Sequence, residues 1–198
     1  YNFLLNQGSV PDSYRPTLYD FVVHDALRFY SAGEQAGSKA QDAFELSAES
    51  PIFASAADFL AWKVQSEDDE SPTLKAIKTY QDLLKFHQED ETQDALVDAD
   101  LQRLQFGYNK AFGEEKKARY KAALKRFTTE WADHHLSARA MYRWAQVLHN
   151  KGELVEAHKL VKRGSSLFPN TVGGNECHNL LTQIEAKSSS ISTERVWN

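Results

Sequence analysis

The side chains best suited to chemistry in this chain are seven histidines and a single cysteine. His134 and His135 are adjacent, and we expect their side chains to diverge, so the pair is a poor chelate for one metal ion. His149 and His158 fall on two successive predicted helices and could meet, but no cysteine or carboxylate joins them at zinc-site spacing. The sequence therefore predicts no metal site and no cofactor.

Cys177 is the only cysteine nucleophile that the chain offers. A reactive thiol needs a lowered pKa, for which His178 is the nearest helper. However, Cys177 falls on the apolar side of a predicted amphipathic helix, where a small buried cysteine is expected. Phosphate-binding glycine loops, dinucleotide fingerprints and the Gly-x-Ser-x-Gly elbow do not occur. We interpret the chain as a non-enzyme, and the alternative is an all-helical hydrolase or lyase that uses His134, His135 or Cys177.

Two acidic stretches, 67–70 and 89–100, are the remaining candidates for ion binding. Calcium loops arrange oxygen ligands around a glycine, and neither stretch contains a glycine. We interpret both as solvated connections between helices.

Charge is distributed unevenly along the chain. Residues 1–100 carry 7 Lys and Arg against 19 Asp and Glu, a balance of −12, whereas residues 101–198 carry 16 against 9, a balance of +7. Nucleic acid is a poor partner, because the acidic half would repel phosphate. The basic residues form either a solvated face or a docking face for an acidic protein surface, and the candidate docking residues are Lys116, Lys117, Lys121, Lys125, Arg126, Arg139 and Arg163.

Helices are the elements that must position these side chains. Residues 138–171 have the length and pattern of a tetratricopeptide repeat, in which small residues let two antiparallel helices approach closely. Such a unit cannot bury its apolar face alone, so neighbouring repeats are predicted. The predicted structural positions of this repeat are Trp144, Ala145, Leu148, Gly152, Ala157, Val161, Gly164 and Pro169.

The rest of the chain is also predicted to be helical. Thr17 is suited to cap a first helix that ends at Ala32 and Gly33. Apolar periodicity predicts further helices at 51–65, 71–86, 95–112, 114–132, 138–149, 153–167 and 174–187, with at most a helical turn at 43–46. We therefore predict an all-α fold, a tetratricopeptide-like α-solenoid of antiparallel helix pairs with a short extended C-terminal segment.

The predicted domain organisation has three parts. Residues 1–16 are an irregular lead-in, 17–187 form the helical repeat domain, and 188–198 are a linker and the first strand of a following β domain. No apolar stretch approaches the 18 residues of a membrane span. The chain starts at Tyr1 without a basic and apolar leader, so we expect a processed protein or a fragment.

Residues 15–21, Arg-Pro-Thr-Leu-Tyr-Asp-Phe, are followed by Ala-Leu-Arg-Phe-Tyr at 26–30. This pattern resembles the start of the helical N-terminal region of large bacterial α2-macroglobulin-like proteins, especially those of Bacteroidetes type. Residues 191–196 resemble the lead-in to the first macroglobulin β domain. The thioester phrase Cys-x-Glu-Gln of some family members is absent, since Cys177 is followed by His-Asn-Leu.

The resemblance implies a periplasmic or extracellular location, and a parent protein thought to trap proteases through a bait region. Partners would be the following β domain, other envelope proteins or proteases. The leading hypothesis is thus a non-catalytic scaffold or protein-interaction region at the N-terminal side of that parent. The alternative is a free-standing, cytoplasmic tetratricopeptide adaptor that binds peptide segments. Only Arg139, Arg143 and Asn150 are available on the first helix of the repeat for that role, which favours the scaffold.

Overall fold

The computed structural model describes residues 11–32 and 43–191, and helices make up 71% of them. No β-strand occurs in these ranges, where the one β-type pairing is an isolated parallel bridge between Ser47 and Phe112. The predicted all-α class is confirmed. The predicted strand at 191–198 and most of the lead-in lie outside the described residues.

The chain divides into two compact units, Tyr1–Lys116 and Lys117–Asn198. The boundary between the two units falls within residues 17–187, the range of the predicted helical repeat domain. In the described ranges, every helix is too short or too polar to cross a bilayer.

The described residues of the N-terminal unit form four helices, of which α3 is central because both α1 and α4 pack against it. Thr17 caps α1 as predicted: its hydroxyl accepts from the Asp20 N–H, and the Asp20 carboxylate accepts from the Thr17 N–H. The helices are α1 (Leu18–Ser31), α2 (Ala56–Ala61), α3 (Pro72–Phe86) and α4 (Asp94–Lys110), with 3-10 turns at Asp12–Tyr14 and Pro51–Phe53.

The prediction of one helix over 51–65 is wrong, because the 3-10 turn Pro51–Phe53 and α2 are separate elements. Ser55 starts α2 afresh, since its hydroxyl accepts from the Asp58 N–H. The fully buried Arg103 binds the carbonyls of Ile52 and Ala54, which holds these residues out of a continuous helix.

No helical turn forms at 43–46 either. Instead, Phe112 donates its N–H to the Leu46 carbonyl and accepts from the Ala48 N–H, at 3.0 and 2.8 Å. Leu46 and Ala48 are therefore hydrogen-bonded through their backbones to Phe112, the residue that forms the isolated bridge with Ser47.

The C-terminal unit contains the helices α5 (Lys116–Glu130), α6 (Leu136–Asn150), α7 (Leu154–Leu167) and α8 (Val172–Ile191). Helices α6, α7 and α8 pack against one another around an apolar core that includes Met141, Val161, Cys177 and Leu180. Because α8 continues to Ile191, residues 188–190 are helical, and their interpretation as a linker is corrected.

The predicted repeat positions lie on or beside α6 and α7. Ala145, Ala157 and Val161 are fully buried, and Leu148 is nearly so. Gly152 joins the two helices with a positive φ of 80°, which glycine adopts without steric cost.

The remaining repeat positions lie at the edges of this hairpin. Trp144 is partly buried against the core, and Gly164 is buried beside Cys177. Helix α7 ends at Leu167, two residues before the exposed Pro169.

Candidate interaction cleft

Helices α5, α6 and α7 form an open cleft of about 510 Å³ in the C-terminal unit. Three of the predicted docking residues, Lys121, Lys125 and Arg163, line it. The complete lining comprises Ala118, Lys121, Ala122, Lys125, Trp144, Leu148, Glu153, Glu156, Lys159, Leu160 and Arg163. We name this feature the basic cleft.

The helical period of α5 explains why its lysines are available. Tyr120, Leu124 and Phe127 are almost fully buried, so Lys121 and Lys125 lie on a different side of the helix. Lys121 is partly buried and Lys125 is exposed. Because they are four residues apart, they are neighbours on the helix surface, with Cβ atoms about 5–6 Å apart.

Helix α7 supplies a second pair with the same spacing, Lys159 and Arg163. Its core side carries the buried Ala157 and Val161 instead. Arg163 is one of the predicted docking residues, whereas Lys159 is not. The available signal was the repeated four-residue spacing of cations on two helices.

Four cations and two carboxylates line the cleft, so the lining has an excess of positive charge. Lys159 donates to Glu156 at 2.9 Å, so this cation has a partner. Lys121, Lys125 and Arg163 make no ion pair or hydrogen bond with any side chain in the part of the chain that the structure describes. These three cations are therefore available to an external anionic group.

The lining between the basic pairs includes apolar side chains. Trp144 and Leu160 are partly buried and pack against the core of the unit, and Leu148 belongs to that core. The buried indole nitrogen of Trp144 has no acceptor among the described residues, although a buried indole N–H usually finds one. The cleft thus combines apolar lining with cations.

The other predicted docking residues do not line the cleft. Lys116 lies over the ring of Tyr108, with Nζ 5.6 Å from the ring centre. Arg139 faces Glu176 of α8, with its Nε 3.5 Å from the carboxylate oxygen. The seven predicted docking residues therefore lie in several different local environments.

Lys117 is exposed on α5 outside the cleft. Arg126 lines a second hollow of about 420 Å³, which shares Ala122 and Lys125 with the basic cleft. The concave surface therefore extends along α5 beyond the cleft itself.

The N-terminal unit contains a cluster of titratable side chains, formed by Asp20, His87 and Asp90. Asp20 and His87 are buried. The two ring nitrogens of His87 lie 2.5 Å from Asp20 and 2.6 Å from Asp90. Burial alone would raise the pKa of Asp20, but hydrogen bonds from Thr17 and His87 outweigh burial and lower it. This arrangement joins the first turn of α1 to the end of α3, which is a structural role.

Two further groups have strongly shifted pKa values because they are buried. Burial, assisted by the nearby Arg15 guanidinium, lowers the pKa of His24 to about 4. Burial, assisted by the Glu176 charge, raises the pKa of Cys177 to about 12. The Cys177 thiol donates to the Ala138 carbonyl at 3.3 Å. The prediction that Cys177 is a buried cysteine is confirmed, and such a thiol is not a ready nucleophile.

The arrangement of His134 and His135 differs from the expected one. The rings of His134 and His135 stack, with centres 4.4 Å apart, so the expectation that they diverge is wrong. His158 pairs with Glu185 of α8 at 3.0 Å rather than with His149. The absence of a metal site stays a prediction.

The chain matches no protein-family model, no curated protein and no solved structure. Any functional assignment therefore rests on the geometry of the chain and on the resemblance given above.

Proposed function

We propose that this chain is a non-catalytic protein-interaction region and that the basic cleft is its contact surface. One observation carries the proposal: Lys121, Lys125 and Arg163 surround partly apolar lining without ion partners in the described chain. Interfaces commonly combine an apolar centre with a charged rim, and the rim charges give orientation and association rate more than affinity.

The state of the candidate nucleophile also supports a non-catalytic role. Cys177 is fully buried and its pKa is raised to about 12 by burial, so it is protonated and shielded at neutral pH. The all-helical hydrolase or lyase would have to work without a thiolate at this position.

The adaptor alternative receives less support from the first helix of the repeat. Arg139, one of its few cations, faces Glu176 within the same unit. The free cations of the cleft lie on α5 and α7, not on α6.

The resemblance to α2-macroglobulin-like proteins gives the proposal its setting. We place the chain at the N-terminal side of such an envelope protein, in a periplasmic or extracellular location, with the helices stacked as an α-solenoid. Its partners would be a following β domain of the same polypeptide, other envelope proteins, or proteases that reach the parent protein. Any protease trapping would then reside in the parent protein.

The test compares residues 1–198 with a protein that also contains the domain encoded next in the gene. We expect that domain to raise the melting temperature of the helical part, and the increase to be smaller at high salt. Salt screens rim charges, because the Debye length is about 10 Å at 0.1 M and about 3 Å at 1 M. If the added domain changes neither the melting temperature nor its salt dependence, docking to a following domain is refuted.

A further inference from the structure

We infer that the basic cleft binds an extended acidic peptide segment of a partner protein, in which acidic and apolar residues alternate. This inference rests on the proposed interaction function and names the chemistry of the partner. Two helices, α5 and α7, supply the cations of the cleft.

The spacing of the cations favours an extended peptide. Lys121 and Lys125 are one helical turn apart, with Cβ atoms about 5–6 Å apart. In an extended peptide, residues i and i+2 point to the same side and lie about 6.7 Å apart. Two acidic side chains at i and i+2 therefore match these two lysines, while residue i+1 points elsewhere.

The apolar lining selects the residue between the two acidic positions. Trp144, Leu148 and Leu160 provide apolar surface within the cleft. An aliphatic side chain at i+1 can cover this surface, and Arg163 on α7 remains available for a further carboxylate.

The cleft is less suited to a phosphate or sulfate polymer than to a peptide. Glu153 and Glu156 also line it, and both would repel a uniformly anionic chain. A peptide can place its own N–H groups or a neutral side chain near them. The combination of cations, apolar lining and two carboxylates therefore favours an acidic peptide over heparin-like or nucleic-acid polymers.

The experiment measures fluorescence anisotropy of a fluorescein-labelled peptide, Ser-Gly-Glu-Leu-Glu-Leu-Glu-Gly-Ser, titrated with the full chain. We expect saturable binding that weakens when Glu is replaced by Gln, and also when Leu is replaced by Ser at constant charge. In nitrogen–proton correlation spectra, the peptide should shift the indole signal that Trp144→Phe removes. If both peptide substitutions leave the affinity unchanged, the alternation is refuted.

The matched protein variants carry the same change of charge on the same helix. Lys121→Glu with Lys125→Glu should weaken binding by about tenfold or more, since two attractions become repulsions. Lys117→Glu with Arg119→Glu, both exposed and outside the cleft, should weaken it less than about threefold in 0.15 M salt. Equal losses in the two variants would refute the cleft as the site.

Two additional measurements separate this inference from other occupants and from misfolding. If Lys121→Glu disturbs folding, the variant Lys125→Glu with Arg163→Glu tests the cleft by changing two cations at exposed positions. A heparin oligosaccharide that displaces the peptide and binds more tightly would overturn the peptide in favour of a polyanion. Self-association abolished by Lys121→Glu with Lys125→Glu, without peptide binding, would instead assign the cleft to a second copy.

Failure of this inference is distinguishable from failure of the proposed function. If the peptide does not bind but the following domain still raises the melting temperature, only the cleft assignment is refuted. If the peptide binds while the following domain has no effect, the inference stands and the proposed docking within the parent protein is refuted.

Discussion

Replacing Gly164 with alanine tests a close contact between α7 and α8. A Cβ atom at this position would lie 2.6 Å from Cys177 Sγ and 3.5 Å from Cys177 Cβ. The sulfur cannot move away freely, because Cys177 is fully buried and its thiol is hydrogen-bonded to the Ala138 carbonyl. The new methyl group is therefore overpacked against a side chain rather than accommodated in a gap.

The expected magnitude follows from two opposing contributions. Overpacking a filled core costs roughly 1–3 kcal/mol, whereas glycine to alanine within a helix stabilises by up to about 1 kcal/mol. We expect Gly164→Ala to lower the free energy of unfolding by about 1–2 kcal/mol. In a Cys177→Ala background the nearest remaining Cys177 atom is Cβ, at an ordinary contact distance of 3.5 Å. There the same substitution should be neutral or stabilising by up to about 1 kcal/mol.

The assay is equilibrium urea unfolding of the wild type, both single variants and the double variant, followed by far-ultraviolet circular dichroism. The coupling free energy of the cycle should be about 2 kcal/mol. Ser166→Ala, at an exposed position of α7, serves as the control for a simple helix substitution. If the two single effects add to within about 0.5 kcal/mol, the sulfur is not what opposes the methyl group, and the reasoning is refuted.

Two further predictions concern the N-terminal unit. Because the folded pKa of His24 is about 4, below its ordinary 6.5, its contribution to stability is complete above pH 6.5 and is lost as pH falls towards 4. His24→Asn should reduce this acid loss by up to about 3 kcal/mol in urea titrations at both pH values, whereas the exposed His178→Asn should not. Arg103→Met should lower the free energy of unfolding by about 3–5 kcal/mol, because it removes the hydrogen bonds to the Ile52 and Ala54 carbonyls and leaves Asp100 without its Arg103 ion pair. An unchanged urea midpoint would contradict that expectation.

Apolar periodicity located the regular helices well because those helices bury one face each. The predictions of 138–149 and 153–167 differ from α6 and α7 by at most two residues at either end. Tyr120, Leu124 and Phe127 recur at this period in α5 and are buried, so Lys121 lies on another side of that helix. Helix type and helix face are local properties, and a single sequence reports them.

Features that depend on distant residues were not predictable in this way. The break near Ala54 is maintained by Arg103, which is 49 residues away in the chain. Lys159 lies four residues from Arg163, but this spacing alone does not show that α7 lines a cleft together with α5. Arg139 was predicted to be a docking residue because the sequence does not show that Glu176, on another helix, is its partner. Each miss concerns which elements are neighbours, and neighbours are set by packing rather than by local period.

The two units differ in their charged residues. The N-terminal unit holds 10 Lys and Arg against 21 Asp and Glu, and its buried cation Arg103 pairs with Asp100 at 2.6 Å. The C-terminal unit holds 13 against 7, but its core cluster is apolar.

Charges that pair inside a fold are explained by stability, because breaking one such pair leaves an uncompensated partner in a low dielectric. Lys125 and Arg163 are exposed and make no ion pair in the described chain, so the fold does not need them in this way. Exposed side chains of this kind usually change stability by less than about 0.5 kcal/mol when substituted. Their positions around partly apolar lining fit the proposed binding role, which is why that proposal concerns the C-terminal unit.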